Sequence, residues 1–343
     1  MCNIAGYVGT KQAAPILLEM FRKEEGWNSG YYTGIATIHD GKLHMQKVIG
    51  DLEVLLQEKN PGGLPGTVGI IHGRSMGGGS VEWGHPFMDK QERIAYIANG
   101  TAGIFREKFK EAQHKAYGEL LASGYQMRSR EETPVGNYTV MPDGACVHGS
   151  DLMCQQIAQY VDDGATTAEA GAKAYRTLTG EVVGLLLNRD EPDRITWGRI
   201  NFPMFAGFAS HGVYLASTPQ AFPEDAENVT LLNAGACGAV YRDRLEIRPM
   251  TQFHTPIVSV TPGLFKTCYE AVCDALSKQA MTCEELDEVL LDIFGRDACA
   301  PYPAVEYMIM DQLEKEGRLE VTVERVPGAL PHLTAPQFRM KLK

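Results

Sequence analysis

The sequence predicts an α+β protein built from two units, and three observations support this. Before residue 182, short apolar runs that suit buried strands alternate with amphipathic helical patterns. From Val182 to Val240 apolar and polar residues alternate with period two between turns, which is typical of antiparallel strands. After Pro262 three helical patterns precede two strand-like runs, which is the order of a winged-helix module. We therefore place a boundary near residues 255–262, between a first unit at 2–258 and a second at 262–343.

The elements follow one another in a clear order. In the first unit the pattern predicts strands at 4–8, 34–39, 43–48, 68–72 and 94–98, helices at 12–24 and 51–58, a helix of about 20 residues before Gly124 and another after Asp151. In the second unit it predicts helices at 263–280, 282–294 and 303–316 and strands at 319–325 and 338–342. Thr282 and Glu285 form a capping box, and Gly295 suits a helix C-terminus.

Composition and charge exclude several classes of protein. Hydrophobic residues make up 44% and charged residues 22% of the 343 positions, as in globular proteins. The formal charge is −11, and such an acidic surface repels phosphate backbones, so we expect no nucleic-acid partner. No apolar run approaches the ~18 residues of a membrane span. The N-terminus lacks the basic and apolar regions of a signal peptide. We therefore expect a cytoplasmic protein that does not associate with membranes.

The cysteines do not form a metal-binding pattern. The eight cysteines lie at positions 2, 146, 154, 237, 268, 273, 283 and 299. No two of them have the Cys-x2-Cys spacing of zinc ribbons or fingers, so we expect no metal site. Disulfides rarely persist inside cells, and most of these thiols are expected to act as small core residues. Cys2 differs from the others in its position.

Cys2 is the strongest single candidate for catalysis. If Met1 is removed, which a small second residue permits, Cys2 carries both a thiol and an α-amine. An α-amine has a reference pKa of about 7.7–8.0, so it can accept the thiol proton at neutral pH. Position alone is weak support, because cysteine also occurs there by chance.

Several motifs in a fixed order resemble those of the class II, or N-terminal-nucleophile, glutamine amidotransferases. They are CNIAGYVG at 2–9, GIIHGRSMGGG at 69–79, GHPF at 84–87, YIANG at 96–100 and GSD at 149–151. The stretch from Glu191 to Ser217 is similar to the one that closes the glutaminase domain of glucosamine-6-phosphate synthase. The resemblance extends from residue 2 to about residue 250.

The resemblance implies a four-layer α/β/β/α sandwich of the N-terminal-nucleophile hydrolase type and a glutaminase site without a cofactor. Cys2 would attack the side-chain carboxamide of L-glutamine. The side chain of Asn99 and the backbone N–H of Gly100 would bind the oxyanion. Arg74 would bind the α-carboxylate through two parallel hydrogen bonds, and Asp151 would pair with the α-ammonium.

Each of these residues has another interpretation when it is considered alone. Asn99-Gly100 is typical of a hairpin turn, Arg74 of a solvated surface charge, and Asp151 of a helix N-cap. Only their combination favours a substrate site. The mechanism does not need the histidines at 72, 85 and 148, which we expect to pack or to form hydrogen bonds.

The sequence also departs from the family pattern. Asn3 replaces the glycine after the nucleophile, and Ala98 replaces the histidine before Asn-Gly. Gly73 and Ser75 flank the arginine where the family has Thr and Trp, and glycines at 77–79 replace Thr-His-Gly. That Trp covers the site in the synthases. The resemblance therefore implies a more mobile loop here and a cavity that is closed by other residues.

The predicted function is hydrolysis of L-glutamine to glutamate and ammonia through an N-terminal cysteine thioester. The two sugar-isomerase domains of glucosamine-6-phosphate synthase are not found in this sequence, so we expect a separate synthase subunit to receive the ammonia. Two alternatives stay open: an N-terminal-cysteine hydrolase of another amide, and a catalytically silent glutamine sensor or scaffold.

The second unit is acidic. Residues 262–343 contain 14 Asp and Glu against 9 Lys and Arg, and the predicted helix at 303–316 carries four carboxylates. A recognition helix with this charge would repel DNA, so we expect dimerisation, as a homodimer, or docking. The residues expected to pack against a second copy or a synthase partner are Tyr302, Tyr307, Met308 and Ile309.

Overall fold

Two antiparallel sheets stacked face to face form the centre of the molecule. The computed structural model describes residues 2–100, 102–178, 181–251, 258–295 and 301–343. Its helices are α1 (Ala13–Glu24), α2 (Leu52–Glu58), α3 (Ala102–Ala122), α4 (Gly149–Asp162), α5 (Thr167–Thr177), α6 (Pro262–Lys278), α7 (Cys283–Phe294) and α8 (Tyr302–Lys315). Its strands are β1 (Asn3–Gly9), β2 (Tyr32–His39), β3 (Lys42–Ile49), β4 (Val68–Arg74), β5 (Phe87–Met88), β6 (Ile94–Gly100), β7 (Glu181–Asn188), β8 (Arg194–Arg199), β9 (Phe205–Ala209), β10 (Gly212–Ala216), β11 (Glu227–Leu231), β12 (Ala236–Tyr241), β13 (Arg248–Pro249), β14 (Leu319–Pro327) and β15 (Thr334–Leu342).

The layers follow from which faces of the strands are apolar. The strand order is β11-β9-β10-β1-β4-β2-β3 in one sheet and β13-β12-β8-β7-β6-β5 in the other. Between the sheets lies a fully buried core that includes Ile4, Ile70, Ile97 and Leu185. Helices α1 and α2 pack on the outer face of the first sheet, and α3, α4 and α5 on that of the second. This is the four-layer α/β/β/α sandwich that the resemblance implied.

The central strands read as nearly continuous apolar runs because both of their faces are covered. Strand β1 is buried along almost its whole length, since α1 lies on one side and the second sheet on the other. Helix α1 buries one stripe, which contains Leu17, Met20 and Phe21, and ends with Arg22 and Lys23, where cations favour the helix dipole.

The alternating region from Val182 to Val240 is shared between the two sheets. Strands β7, β8 and β12 belong to the second sheet, whereas β9, β10 and β11 belong to the first. The buried Arg199 holds the crossing from β8 to β9. Its guanidinium donates hydrogen bonds to the carbonyls of Asn201, at 3.0 Å, and of Phe202 and Leu232. These bonds satisfy carbonyls that a buried crossover would otherwise leave unpaired.

The second unit contains three helices followed by the β14–β15 hairpin, in the predicted order. Trp27 of the first unit lies in its core, with ring centroids 5.8 Å from Tyr307 and 5.3 Å from Phe338. Arg325 of β14 forms a 2.5 Å ion pair with the buried Asp51. The two units therefore share apolar and charged contacts, and their division into domains at 2–258 and 262–343 stays a prediction.

One expectation for the second unit is wrong. Tyr307 and Ile309 are 1% and 0% exposed and lie in the core of their own unit, so they do not present a surface to a second copy. The periodicity of α8 marked them as apolar and buried, but this face of α8 is covered by α6, α7 and Trp27. Met308 alone of this set keeps substantial exposure, at 37%. A homodimer stays a prediction.

Within the described ranges, no helix combines the length and the apolar character that a bilayer crossing requires.

Candidate active site

The ends of three central strands bring Cys2, Arg74 and Asn99 together. Cys2 precedes β1, Arg74 ends β4, and Asn99 lies near the end of β6. Even-numbered positions of β1 and β4 and odd-numbered positions of β6 face the space between the sheets, because side chains alternate along a strand. The three side chains therefore point into the space between the two sheets. Asn3 lies opposite Gly73 in the pairing of β1 with β4, which puts Cys2 beside Arg74.

A cavity of about 390 Å³ lies at this end of the sheets. One wall consists of the strand ends and the loop after β4, and the opposite wall is the segment that joins α3 to α4. The first wall includes Cys2, Arg74, Ser75, Gly77, His85, Ala98 and Gly100. The second includes Gly136, Tyr138, Thr139, Val147 and His148, and Ser150 of α4 lies next to it.

Several hydrogen bonds hold Cys2 at the cavity. The backbone N–H of Ser75 donates to Cys2 Sγ at 3.3 Å, and the Ser75 hydroxyl lies 3.5 Å from the same sulfur. The side-chain amide of Asn99 donates to the backbone carbonyl of Cys2. Further along β1, the N–H of Ile4 donates to Ser217 Oγ at 2.8 Å. The thiol is partly exposed, so a ligand in the cavity can reach it.

Asn99 and Gly100 form the end of a strand. Asn99 pairs with Val183 of β7, and the register shifts before Gly100. The structure therefore excludes the hairpin-turn interpretation of this pair. Asn99 is 1% exposed, whereas Gly100 lines the cavity. Their role as hydrogen-bond donors to the oxyanion stays a prediction.

Arg74 is a buried cation in the cavity wall. Its side chain is 1% exposed, which excludes a solvated surface charge. Nη1 donates to the Gly78 carbonyl at 2.9 Å, and Nη2 donates to the Tyr138 hydroxyl oxygen at 3.1 Å. The guanidinium carbon lies 4.5 Å from the ring centroid of Tyr32 and 5.4 Å from that of Tyr138. A guanidinium held in this way suits an anionic group of a ligand.

Asp151 is bound through its carboxylate by other residues of the protein. It lies in the first turn of α4, whose N-cap residue is His148. Its fully buried carboxylate accepts hydrogen bonds from Ser129 N at 2.8 Å, Ser129 Oγ at 2.9 Å and Gln155 Nε2 at 3.1 Å. Burial raises the pKa of Asp151, and the bonds from Ser129 and Gln155 oppose this rise. Its predicted pairing with an α-ammonium group stays a prediction.

Three buried histidines pack against one another beside the site. Ring centroids are 3.8 Å apart for His72 and His85 and 5.0 Å apart for His85 and His148. His72 Nε2 lies 3.0 Å from the Ala98 carbonyl. Burial lowers the pKa of His72 to about 3 and those of His85 and His148 well below the ordinary value, which favours the neutral form of each. These contacts match the packing and hydrogen-bonding roles that the sequence predicted.

Two tyrosines that contact the Arg74 guanidinium were not predicted from the sequence. Tyr32 lies opposite Arg74 in the pairing of β2 with β4, and this register could have indicated the contact. Tyr138 lies in an irregular segment with no periodicity, so no local signal pointed to it. Among the described residues, no group of three or more His, Cys, Asp or Glu side chains is arranged to hold a metal ion.

Comparison with known sequences identifies similar proteins. No protein-family model matches the chain. The glutamine–fructose-6-phosphate aminotransferase (isomerizing) of Pyrococcus horikoshii is 27% identical over 256 residues, covering 72% of this chain and 38% of that protein. The proteins of the same description from Agrobacterium fabrum (29% over 255 residues; 72% and 36%) and Methanothermobacter thermautotrophicus (30% over 240 residues; 68% and 36%) are similar too. The chain therefore spans little more than a third of the length of these relatives.

Comparison with solved structures agrees in fold. The glutamine phosphoribosylpyrophosphate amidotransferase from B. subtilis, complexed with ADP and GMP, has a TM-score of 0.56 at 14% identity, covering 86% of this chain and 64% of that one. A structure described as the allosteric regulatory enzyme of purine biosynthesis has the same TM-score and identity, covering 81% and 59%. The sequence matches, which cover 68–72% of the chain, identify this domain as a class II, N-terminal-nucleophile glutamine amidotransferase domain, and the two solved structures agree with it in fold.

Proposed function

We propose that the protein hydrolyses L-glutamine to glutamate and ammonia and delivers the ammonia to a separate synthase subunit. One observation supports this most strongly. The partly exposed thiol of Cys2 and the buried guanidinium of Arg74 line the same cavity of about 390 Å³. A nucleophile and a carboxylate-binding cation in one cavity are what an amide-bearing amino acid requires.

The reaction would begin after removal of Met1. The α-amine of Cys2 takes the thiol proton, and the thiolate attacks the carboxamide carbon to form a tetrahedral intermediate. The C–N bond of the carboxamide then breaks. Its nitrogen takes the proton back from the α-ammonium of Cys2 and leaves as ammonia, and a thioester remains on Cys2. Water hydrolyses the thioester to glutamate and restores the thiol.

The oxyanion of each tetrahedral intermediate needs hydrogen-bond donors. The N–H of Gly100 and the side-chain amide of Asn99 are the candidates at this end of β6. Asn99 now donates to the backbone carbonyl of Cys2, the residue that carries the nucleophile, so its amide lies beside that residue. Each such donor contributes about 3 kcal/mol in the transition state.

Arg74 would bind the α-carboxylate. Its Nη1 and Nη2 are held by Gly78 and Tyr138, so its plane is fixed before the ligand arrives. This cation favours a substrate with a carboxylate over a simple amide. The names of the relatives specify fructose 6-phosphate as the acceptor. We extend only the glutaminase half-reaction to this protein, and the synthase partner, the docking role of 262–343 and the cytoplasmic location stay predictions.

The test combines the mature N-terminus with nucleophile variants. Mass spectrometry should show the loss of Met1, and glutamate release should fall at least ~100-fold in Cys2→Ala and Cys2→Ser. Cys273→Ala is the matched control, because this thiol is also partly exposed but lies in α6, away from the cavity. We expect it to keep wild-type turnover.

Each alternative has its own outcome in the same assay. Wild-type turnover by Cys2→Ala would overturn the mechanism. Binding of glutamine by the wild type without glutamate release would favour the sensor. Faster release of ammonia from another amide, in a panel with asparagine and simple amides, would favour the rival hydrolase.

A further inference from the structure

We propose that Tyr138 is a positioning residue that orients Arg74 for the substrate carboxylate. The inference rests on the proposed function, since it assigns a task to the cavity wall opposite the nucleophile. Tyr138 would set the affinity for glutamine and leave the chemical step at Cys2 nearly unchanged.

Tyr138 lies in a segment that has no regular secondary structure but is held by several hydrogen bonds. Residues 123–148 join α3 to α4, and Glu131 and Cys146 exchange backbone hydrogen bonds of 2.9 and 2.8 Å across it. The backbone N–H of Tyr138 donates to the Val135 carbonyl at 3.1 Å. At the base of the segment Ser129 is bound to Asp151 of α4. Tyr138 is therefore presented to the cavity by a structured loop.

The hydrogen bonds around Tyr138 have a defined direction. The N–H of Ser150 donates to His148 Nδ1 at 3.1 Å, so in the neutral imidazole the proton is on Nε2. His148 Nε2 lies 2.8 Å from the Tyr138 hydroxyl and therefore donates to its oxygen. Arg74 Nη2 donates to the same oxygen at 3.1 Å. The oxygen of Tyr138 thus joins the guanidinium to the N-terminus of α4.

Ring contacts fix the plane of Tyr138. Its centroid lies 5.1 Å from that of Trp83, in an edge-to-face arrangement, and 4.5 Å from that of His148. The Arg74 guanidinium carbon lies 5.4 Å from the same ring. An aromatic face near a guanidinium adds a cation–π attraction. The side chain that accepts from Arg74 is therefore itself held on two sides.

The two loops of the cavity approach each other closely at this point. A Cβ atom on Gly136 would come within 2.6 Å of the Gly77 carbonyl oxygen, and one on Gly77 would come within 2.5 Å of Arg74 Nη2. Glycine at both positions lets the Tyr138 loop reach the guanidinium. Of the glycines at 77–79, which depart from the family pattern, Gly77 therefore has a structural explanation.

A fixed guanidinium binds a carboxylate with less loss of side-chain freedom. Without the Tyr138 oxygen, one N–H of Arg74 and one of His148 would lose their acceptor in a buried place, which is unfavourable. Arg74 would then adopt other orientations, and the substrate would bind less tightly. The amide carbon and the sulfur would still meet once the substrate is bound.

The test is Tyr138→Phe, which removes the oxygen and keeps the ring. We expect KM for L-glutamine to rise about tenfold while kcat changes less than about threefold. Tyr117→Phe is the matched control, because Tyr117 is buried and its hydroxyl also accepts from an arginine, Arg130, at 3.2 Å, outside the cavity. It should leave both constants unchanged.

A second readout separates positioning from a general structural role. The preference for L-glutamine over its α-carboxamide, expressed as a ratio of kcat/KM values, should fall about fivefold or more in Tyr138→Phe. The double variant with Arg74→Lys should lose less than the sum of the two single losses. An unchanged preference, or equal losses on both substrates, would overturn the proposal even if Tyr138→Phe is less stable.

The outcomes also separate this proposal from the proposed function. If the wild type binds glutamine without hydrolysing it, calorimetric titration replaces kinetics, and Tyr138→Phe should bind about tenfold more weakly. If the wild type neither binds nor hydrolyses glutamine, both proposals fail. If the wild type turns over glutamine and Tyr138→Phe matches it in KM, only the role of Tyr138 is overturned.

Discussion

The two walls of the cavity are built in different ways. Cys2, Arg74 and Asn99 stand at the ends of β1, β4 and β6, each of which pairs with a strand on both sides. The opposite wall, residues 123–148, has two isolated bridges and is held to α4 by the side chains of Ser129 and Asp151. One wall is thus fixed by repeated backbone pairing and the other by a few specific contacts.

This difference predicts how substitutions act. The strand wall carries the groups that bind and attack the substrate, so changes there should alter the reaction directly. The joining segment contacts the Arg74 guanidinium through Tyr138, so changes at this contact should act through Arg74 and appear in KM. A site is more rigid when its reacting groups lie on regular elements.

The largest effect beyond the nucleophile is expected for Arg74→Lys. An ammonium group lacks the planar fork that makes two parallel hydrogen bonds to a carboxylate, so KM for glutamine should rise about 30-fold with a smaller change in kcat. Arg93→Lys is the control, because Arg93 is nearly buried in a 2.9 Å ion pair with Asp162, away from the cavity. A KM within twofold of wild type would remove Arg74 from the substrate contacts.

Gly136→Ala tests the close approach of the two walls. Gly136 has φ of 45°, and its new Cβ would meet the Gly77 carbonyl oxygen at 2.6 Å. We expect kcat/KM for glutamine to fall about fivefold and the unfolding free energy by about 2 kcal/mol. Gly144→Ala is the control, since Gly144 lies in the same segment with φ of 88° and no atom within 4 Å of its Cβ.

The control carries only the cost of backbone strain, about 1 kcal/mol. It should therefore lose stability without losing activity. Equal losses of activity in the two glycine variants would show that the contact between the walls is unimportant for the site.

The strand wall could be predicted from the sequence because its signals are local. Alternation along β1 and β6 fixes which side chains face inward, and the family motifs supply Cys2, Asn99 and Arg74. The helices of the second unit and the first strand of its hairpin were also predicted to within two residues of their observed bounds, because periodicity and caps define them, whereas β15 begins four residues before the predicted 338. The packing partners of α8 are distant in sequence and leave no local signal, so Tyr307 was assigned to the wrong surface.

The joining segment could not be predicted, since its contacts connect residues that are distant in sequence. The direction of Asp151 depends on Ser129, 22 residues earlier, and no periodic pattern links the two. Helix α5 also went unpredicted, although Thr166 and Glu169 form a capping box that marks its start. The position of Tyr138 depends on Trp83, His148 and Arg74, which come from three different elements.

Asp151→Asn should have the smallest effect on catalysis. In the structure the carboxylate holds Ser129, and an asparagine Oδ1 can accept the same two bonds. Gln155 Nε2 donates to the Met88 carbonyl as well as to Asp151, so the new Nδ2 would face a donor there, and this loss should appear in stability. We therefore expect KM for glutamine to stay within about threefold of wild type. A tenfold rise would instead support the contact with an α-ammonium that the sequence predicted.

The same substitution should change how stability depends on pH. Burial raises the pKa of the Asp151 carboxyl above its unfolded value, so the folded protein binds this proton more tightly than the unfolded chain. Between the unfolded pKa of about 3.9 and the raised folded pKa, the wild type therefore loses unfolding free energy as pH rises. Asp151→Asn lacks this titration, so urea unfolding from pH 4 to 7 should show the variant gaining stability relative to wild type. A constant difference across this range would show that the carboxylate is not penalised by its burial.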